Sequence, residues 1–156
     1  MAVTPIKYYV PTSIDTLFAH ATLKNLADGA ELTSGEIDNT SALDLWGDLI
    51  LAVSWATAPS AGVTAFEVYL VPAVDSTNYP SNGADGLPQK ALLVGTLESR
   101  LPATAALEYL ALRRIVLPPL KFKILISNTS AQAVANDDDV TMFCKLQRYQ
   151  MGSGSA

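Results

Sequence analysis

Leu117-Pro118-Pro119-Leu120-Lys121-Phe122-Lys123-Ile124-Leu125-Ile126-Ser127-Asn128-Thr129-Ser130 places a turn signal, a strand and a second turn signal in one unbroken run. Leu120, Phe122, Ile124 and Ile126 fall at every second position, with Lys121, Lys123, Leu125 and Ser127 between them. That is the period of a half-buried strand, not of a helix. The proline pair holds φ near the extended region and withholds two N–H donors from any ladder. Asn128 to Ser130 carry short side chains that hydrogen-bond their own backbone and favour a turn.

Working outward, the same rhythm recurs. Leu43 to Ala56 sets Leu45, Leu49, Leu51, Val53 and Trp55 on one parity and Asp48, Ile50, Ala52 and Ser54 on the other, a central strand packed on both faces for part of its length. After a turn at Thr57 to Gly62, Ala65 to Val71 puts Phe66, Val68 and Leu70 inward and Glu67, Tyr69 and Val71 outward, an antiparallel partner. Val140 to Tyr149 sets Val140, Met142, Cys144 and Leu146 against Thr141, Phe143, Lys145, Gln147 and Tyr149. Further strands are expected at Ala91 to Leu97 and at Ala111 to Leu117, with a mixed connection from Leu101 to Tyr109 between them.

The flanks are less regular. Lys7 to Val10 reads as an edge strand or a docking arm, interrupted by Pro11, Thr12 and Ser13. Leu17 to Leu26 is a strand or a helical turn, and Glu31 to Ile37 alternates weakly around Gly35, where a bulge or close backbone approach is expected. Pro72 to Lys90 shows no period and collects proline, glycine, asparagine and aspartate, which marks a long loop. Eight or nine short antiparallel strands without a helical segment predict an all-β, single-domain sandwich, jelly-roll-like in form. The domain covers residues 1–151 with an N-terminal arm, and 152–156, Gly-Ser-Gly-Ser-Ala, read as a flexible linker or expression remnant.

Composition sets the outer bounds. A chain of 156 residues buries roughly 70% of its unfolded surface, enough for one core. With 49% hydrophobic and only 16% charged residues it is too apolar for disorder. A net charge of −5, with the ten basic residues scattered, argues against a nucleic-acid partner. No apolar run approaches the roughly 20 residues that cross a bilayer, so no membrane partner is expected. Cys144 is the single cysteine and makes no internal disulfide.

Few residues offer chemistry, and no cofactor is expected. Asp137, Asp138 and Asp139 are candidate metal ligands, though their spacing lacks the calcium-loop pattern and also suits a solvated turn. His20 is the lone histidine and no nucleophile sits in a recognisable context. Cys144 shares the apolar parity of its strand and reads as a small buried hydrophobe. Trp46, Trp55, Tyr69 and Tyr79 could form a platform for sugar rings, with Trp55 on the core parity. Glu31, Glu36, Glu67 and Glu108 offer carboxylate pairs without a spacing that singles one out.

The run from Phe66 to Tyr79, then Leu93-Val94-Gly95, then Val116 to Lys123, resembles a family of small virion proteins of tailed bacteriophages, and Ala30 to Asp38 is similar to that family's first strand pair. The likeness extends from Asp28 to Tyr149. It implies a non-enzymatic capsid decoration or cement protein, or a tail accessory protein. Such a protein would be assembled in the bacterial cytoplasm, sit on the capsid surface and bind the major capsid protein or another virion protein. It would act as a homo-oligomer, a trimer being one such state. Interface candidates are Tyr8, Tyr9, Tyr69, Tyr79 and Phe143, with Val71 on the same outward parity as Tyr69. The rival reading is a tail-associated or free carbohydrate-binding sandwich.

Overall fold

The computed structural model describes residues 7–75, 78–80, 91–100, 104 and 106–153, and the side chains within them from residue 11 to residue 150. The strands are β1 (Lys7–Phe18), β2 (Glu31–Thr33), β3 (Trp46–Val53), β4 (Thr64–Pro72), β5 (Leu92–Glu98), β6 (Glu108–Val116), β7 (Phe122–Asn128) and β8 (Phe143–Ser153), with one helical turn, α1 (His20–Leu23). They form two four-stranded antiparallel sheets, ordered β1-β8-β3-β6 and β2-β7-β4-β5. The first strand pairs with the last, the second with the last but one, and so inward to β4 with β5. That is a single long hairpin rolled up until β3 meets β8 and β4 meets β7. The result is a jelly roll, as the strand count and turn spacing predict.

The deciding stretch behaves largely as read. Phe122, Ile124 and Ile126 are fully buried in the core between the sheets, and β7 lies between β2 and β4. Leu120 departs from the expectation: it is exposed and lies before the strand. The regular ladder begins at Phe122 opposite Pro72, with one further bond from the Ala73 N–H to the Lys121 carbonyl at 2.9 Å, so Leu120 lies beyond the paired region. Leu125, expected outward, is also buried.

Further expectations are corrected or resolved. Pro11 to Ser13 do not interrupt the first strand; β1 runs through them with a register shift between Pro11 and Ser13. An edge strand tolerates this, since one side of its ladder has no partner to lose. From Lys7 onward the edge-strand alternative is the one observed, and residues 152 and 153, read as linker, belong to β8 opposite Tyr8 and Lys7. The alternative at 17–26 resolves into the end of β1 and the turn α1. Gly35 lies outside β2 with open space where a Cβ would point, so neither a bulge nor a close approach explains it. Leu45, assigned to the core parity of β3, is exposed. The core stops two residues short of it, at Gly47, where an added Cβ would lie 2.8 Å from Leu146 Cδ1.

The core is filled by Leu49, Leu51, Val53 and Trp55 with Phe66, Val68, Leu70, Leu110, Ile115, Leu146 and Cys144. Trp55 stacks on Phe66 with ring centroids 5.7 Å apart. Its indole Nε1–H donates to Glu108 Oε2 at 2.9 Å, and the same carboxylate accepts from Ser99 Oγ and from the Arg100 N–H at 2.7 Å. Cys144 has no exposed surface, and burial pushes its thiol up from the ordinary range. The native protein should accordingly resist alkylation at neutral pH and label fully only in denaturant. Rapid labelling of the folded chain would show β8 to be loosely held.

Candidate functional site

The outer faces of both sheets carry exposed apolar residues, Leu92 and Leu93 in β5 among them. On the β2-β7-β4-β5 sheet, the outward-facing Val71 is only 2% exposed, which corrects its reading as a free apolar position. Tyr79 lies against Lys123, whose Nζ is 4.4 Å from the ring centroid, and the Tyr79 hydroxyl donates to Glu36 Oε2 at 2.9 Å. Glu36 is also bridged by Lys121 at 2.7 Å, and these contacts, that to Lys121 first, hold its carboxyl below the usual range. Tyr69 is half-buried and its hydroxyl donates to Glu67 Oε2, a bond that, with burial, pushes the phenol up to about 12. Tyr69 and Tyr79 thus spend their polar ends inside the chain. Residues 76–77 and 81–90 of the long loop lie outside the described residues.

The outer face of the β1-β8-β3-β6 sheet is partly exposed, with Lys145 Nζ lying 4.6 Å from the Phe143 ring centroid. Pairing aligns its outward residues in rows: Tyr109, Ala52 and Phe143; then Ala111, Ile50 and Lys145; then Asp48, Gln147 and Ile14; then Val116, Trp46 and Tyr149. Tyr109, Val116 and Ile14 are each more than 60% exposed. Ala52 is small enough for the Tyr109 and Phe143 rings to meet edge-to-face above it, centroids 6.4 Å apart, and it is fully covered by them. Phase across this face depends on a bulge. Asp48 faces the gap between Leu112 and Ile115, and Arg114 takes a left-handed φ of 59°. The extra residue returns Ile115 and Leu117 to the core, which strict alternation after Leu112 would not.

A cavity of about 400 Å³ opens beside the bulge, lined by Trp46, Asp48, Arg114 and Tyr149. Asp48 Oδ1 accepts the Arg114 N–H at 2.9 Å, Asp48 Oδ2 lies 3.6 Å from Arg113 Nη1, and the Tyr149 hydroxyl reaches Oδ2 at 3.5 Å. Burial, with the Asp48 carboxylate next in importance, raises the Tyr149 phenol above its ordinary value and keeps it a donor. Of these four residues only Trp46 was singled out by sequence. The bulge that aims the others leaves no mark in the one-dimensional pattern.

The remaining candidates fall elsewhere. Asp138 is paired with Lys24 at 2.6 Å and His20 Nε2 at 3.3 Å, contacts that hold its carboxyl below the usual range, that to Lys24 first. Asp137 Oδ1 accepts the Asp139 N–H in a turn. Among the described residues no three His, Cys, Asp or Glu side chains converge as metal ligands. His20 Nδ1 accepts the Met142 N–H at 3.3 Å while Nε2 donates to Asp138, which places the imidazole as a clamp between α1 and the segment before β8. Tyr8 and Tyr9 lie in β1, but their side chains are outside the described residues. Among the described residues no helix is long and apolar enough to cross a membrane.

Strand order and register together define a jelly-roll domain with exposed apolar residues on its sheet surfaces. Compared with protein-family models and with curated proteins, the chain matches none.

Proposed function

We propose that this protein is a non-enzymatic structural component of a phage virion, a decoration protein that binds the assembled head and stabilises it. The observation that carries this reading is the apolar patch at one end of the outer face of the β1-β8-β3-β6 sheet, where exposed Tyr109 and Ala111 adjoin the partly exposed Ile50 and Phe143. Exposed apolar surface of this kind, rimmed by Lys145 and Gln147, suits protein–protein contact. The phage likeness of the strand phrases points to a capsid subunit as the occupant. Jelly rolls serve both viral coat and lectin domains, so the fold supports the proposal without selecting it. Binding to the closed shell in preference to the loose subunit would stabilise the particle by mass action.

The test mixes purified protein with heads that lack it and sediments them. Wild-type protein should co-sediment at micromolar concentration, and the Tyr109→Glu/Ala111→Glu double variant, altered at two exposed positions, should stay in the supernatant with an unchanged melting temperature. Wild-type protein remaining in the supernatant would sink the reading.

A further inference from the structure

We propose that the cavity bounded by Trp46, Asp48, Arg114 and Tyr149 is a saccharide site that takes an acidic pyranose, a hexuronate residue of an anionic polysaccharide. It lies at the opposite end of the same sheet face from Tyr109 and Phe143, and it stands whether or not that patch docks on a head.

Four features converge on this ligand class. Trp46 and Tyr149 are direct cross-strand partners of β3 and β8, so their rings flank the cavity as neighbours. Aromatic faces of this kind offer apolar area to the C–H face of a sugar ring while leaving its hydroxyls free. The Arg114 guanidinium has no side-chain partner among the described residues, although it lines the cavity. An uncommitted planar fork of N–H donors matches a carboxylate in bidentate geometry, which a neutral sugar lacks. The Asp48 oxygens retain acceptor capacity for ring hydroxyls beyond their bonds to the Arg114 N–H and Tyr149, since a carboxylate offers about four lone-pair sites. Charge agrees: Arg113 and Arg114 against Asp48 leave an excess of one positive charge beside the cavity, in a chain whose net charge is −5.

The bulge also sets the backbone at this position. Arg114 holds a left-handed φ of 59°, uncommon for a bulky side chain, and such strain collects at binding sites. The Asp48 carboxylate holds that conformation by accepting the Arg114 N–H. The cavity also lies within the roughly 300–1,000 Å³ usual for small-ligand sites.

Tryptophan fluorescence tests the proposal, because Trp55 is buried and Trp46 is the partly exposed indole. Titration with oligogalacturonate should quench the emission saturably, and the quench should weaken as salt is raised. Neutral cello-oligosaccharides should leave the emission unchanged. Trp46→Phe should abolish the signal, and Arg114→Gln should weaken binding about tenfold or more with its melting temperature preserved. No saturable quench at millimolar oligogalacturonate, equal response to the neutral oligosaccharide, a quench that survives Trp46→Phe, or unaltered affinity in Arg114→Gln would each overturn it.

Discussion

Arg148→Met should destabilise the protein by about 3–5 kcal/mol, read as a fall in the urea midpoint at unchanged slope. Arg148 sits at the end of the core in β8. Its Nε donates to Asp15 Oδ2 at 2.7 Å and its Nη1 to Asp44 Oδ2 at 2.9 Å. Asp44 is 1% exposed, and its other oxygen accepts the Thr12 hydroxyl at 2.8 Å. Its backbone is clasped by Asn39, which accepts the Asp44 N–H and donates to both the Asp44 and Pro118 carbonyls. Removing the guanidinium strands a buried carboxylate with one hydroxyl for company, and that desolvation sets the size of the loss. The Arg148→Met/Asp44→Asn double variant should recover part of it, since neutralising Asp44 removes the stranded charge. Arg148→Lys should fall between, because a compact ammonium cannot span Asp15 and Asp44 as the planar fork does. A loss under about 1 kcal/mol for Arg148→Met would mean that water replaces the guanidinium freely.

Glu108→Ala should cost about 3 kcal/mol or more, because it leaves the Trp55 indole N–H, the Ser99 hydroxyl and the Arg100 N–H without their shared acceptor. Ser99 and Trp55 are buried, so water does not reach them without opening the end of the sandwich. Glu108→Gln keeps one acceptor oxygen but turns an NH₂ group toward donors, and should cost about 1–2 kcal/mol. In a Trp46→Phe background the emission of Trp55 reports the change directly. It should shift to the red in Glu108→Ala as water enters. An unshifted spectrum with full stability would show that Glu108 is dispensable to the clasp. The same geometry bears on the idea of a carboxylate-pair hydrolase, since the buried carboxylate of Glu108 is already engaged by three donors of its own chain.

Neither clasp was legible in the sequence. Arg148 stands in β8 on the parity of Leu146 and Cys144, where a charge reads as an error of pattern until Asp15 and Asp44, more than a hundred positions earlier, are brought to it. Glu108 was one of several glutamates with no spacing to distinguish it. Pro11 looked like an interruption because proline breaks a paired ladder, and only the placement of β1 at the sheet edge removes that penalty. The outward residues were misjudged for a related reason: alternation says that Tyr69, Val71 and Phe143 point away from the core, but not that Val71 is buried all the same or that Lys123 and Lys145 lie over the Tyr79 and Phe143 rings.

What the sequence determined by itself is the two-residue rhythm in Phe122 to Ile126, Leu49 to Val53 and Phe66 to Leu70, with turn residues between, and from it an all-β sandwich of about eight strands. That information is local, because a strand's inward and outward positions follow from adjacent residues alone. The tertiary structure alone decided the bulge at Arg114 and the cavity that unites Trp46, Asp48, Arg114 and Tyr149. Those depend on register between strands far apart in the chain, and one residue of slip there exchanges every inward side chain for an outward one.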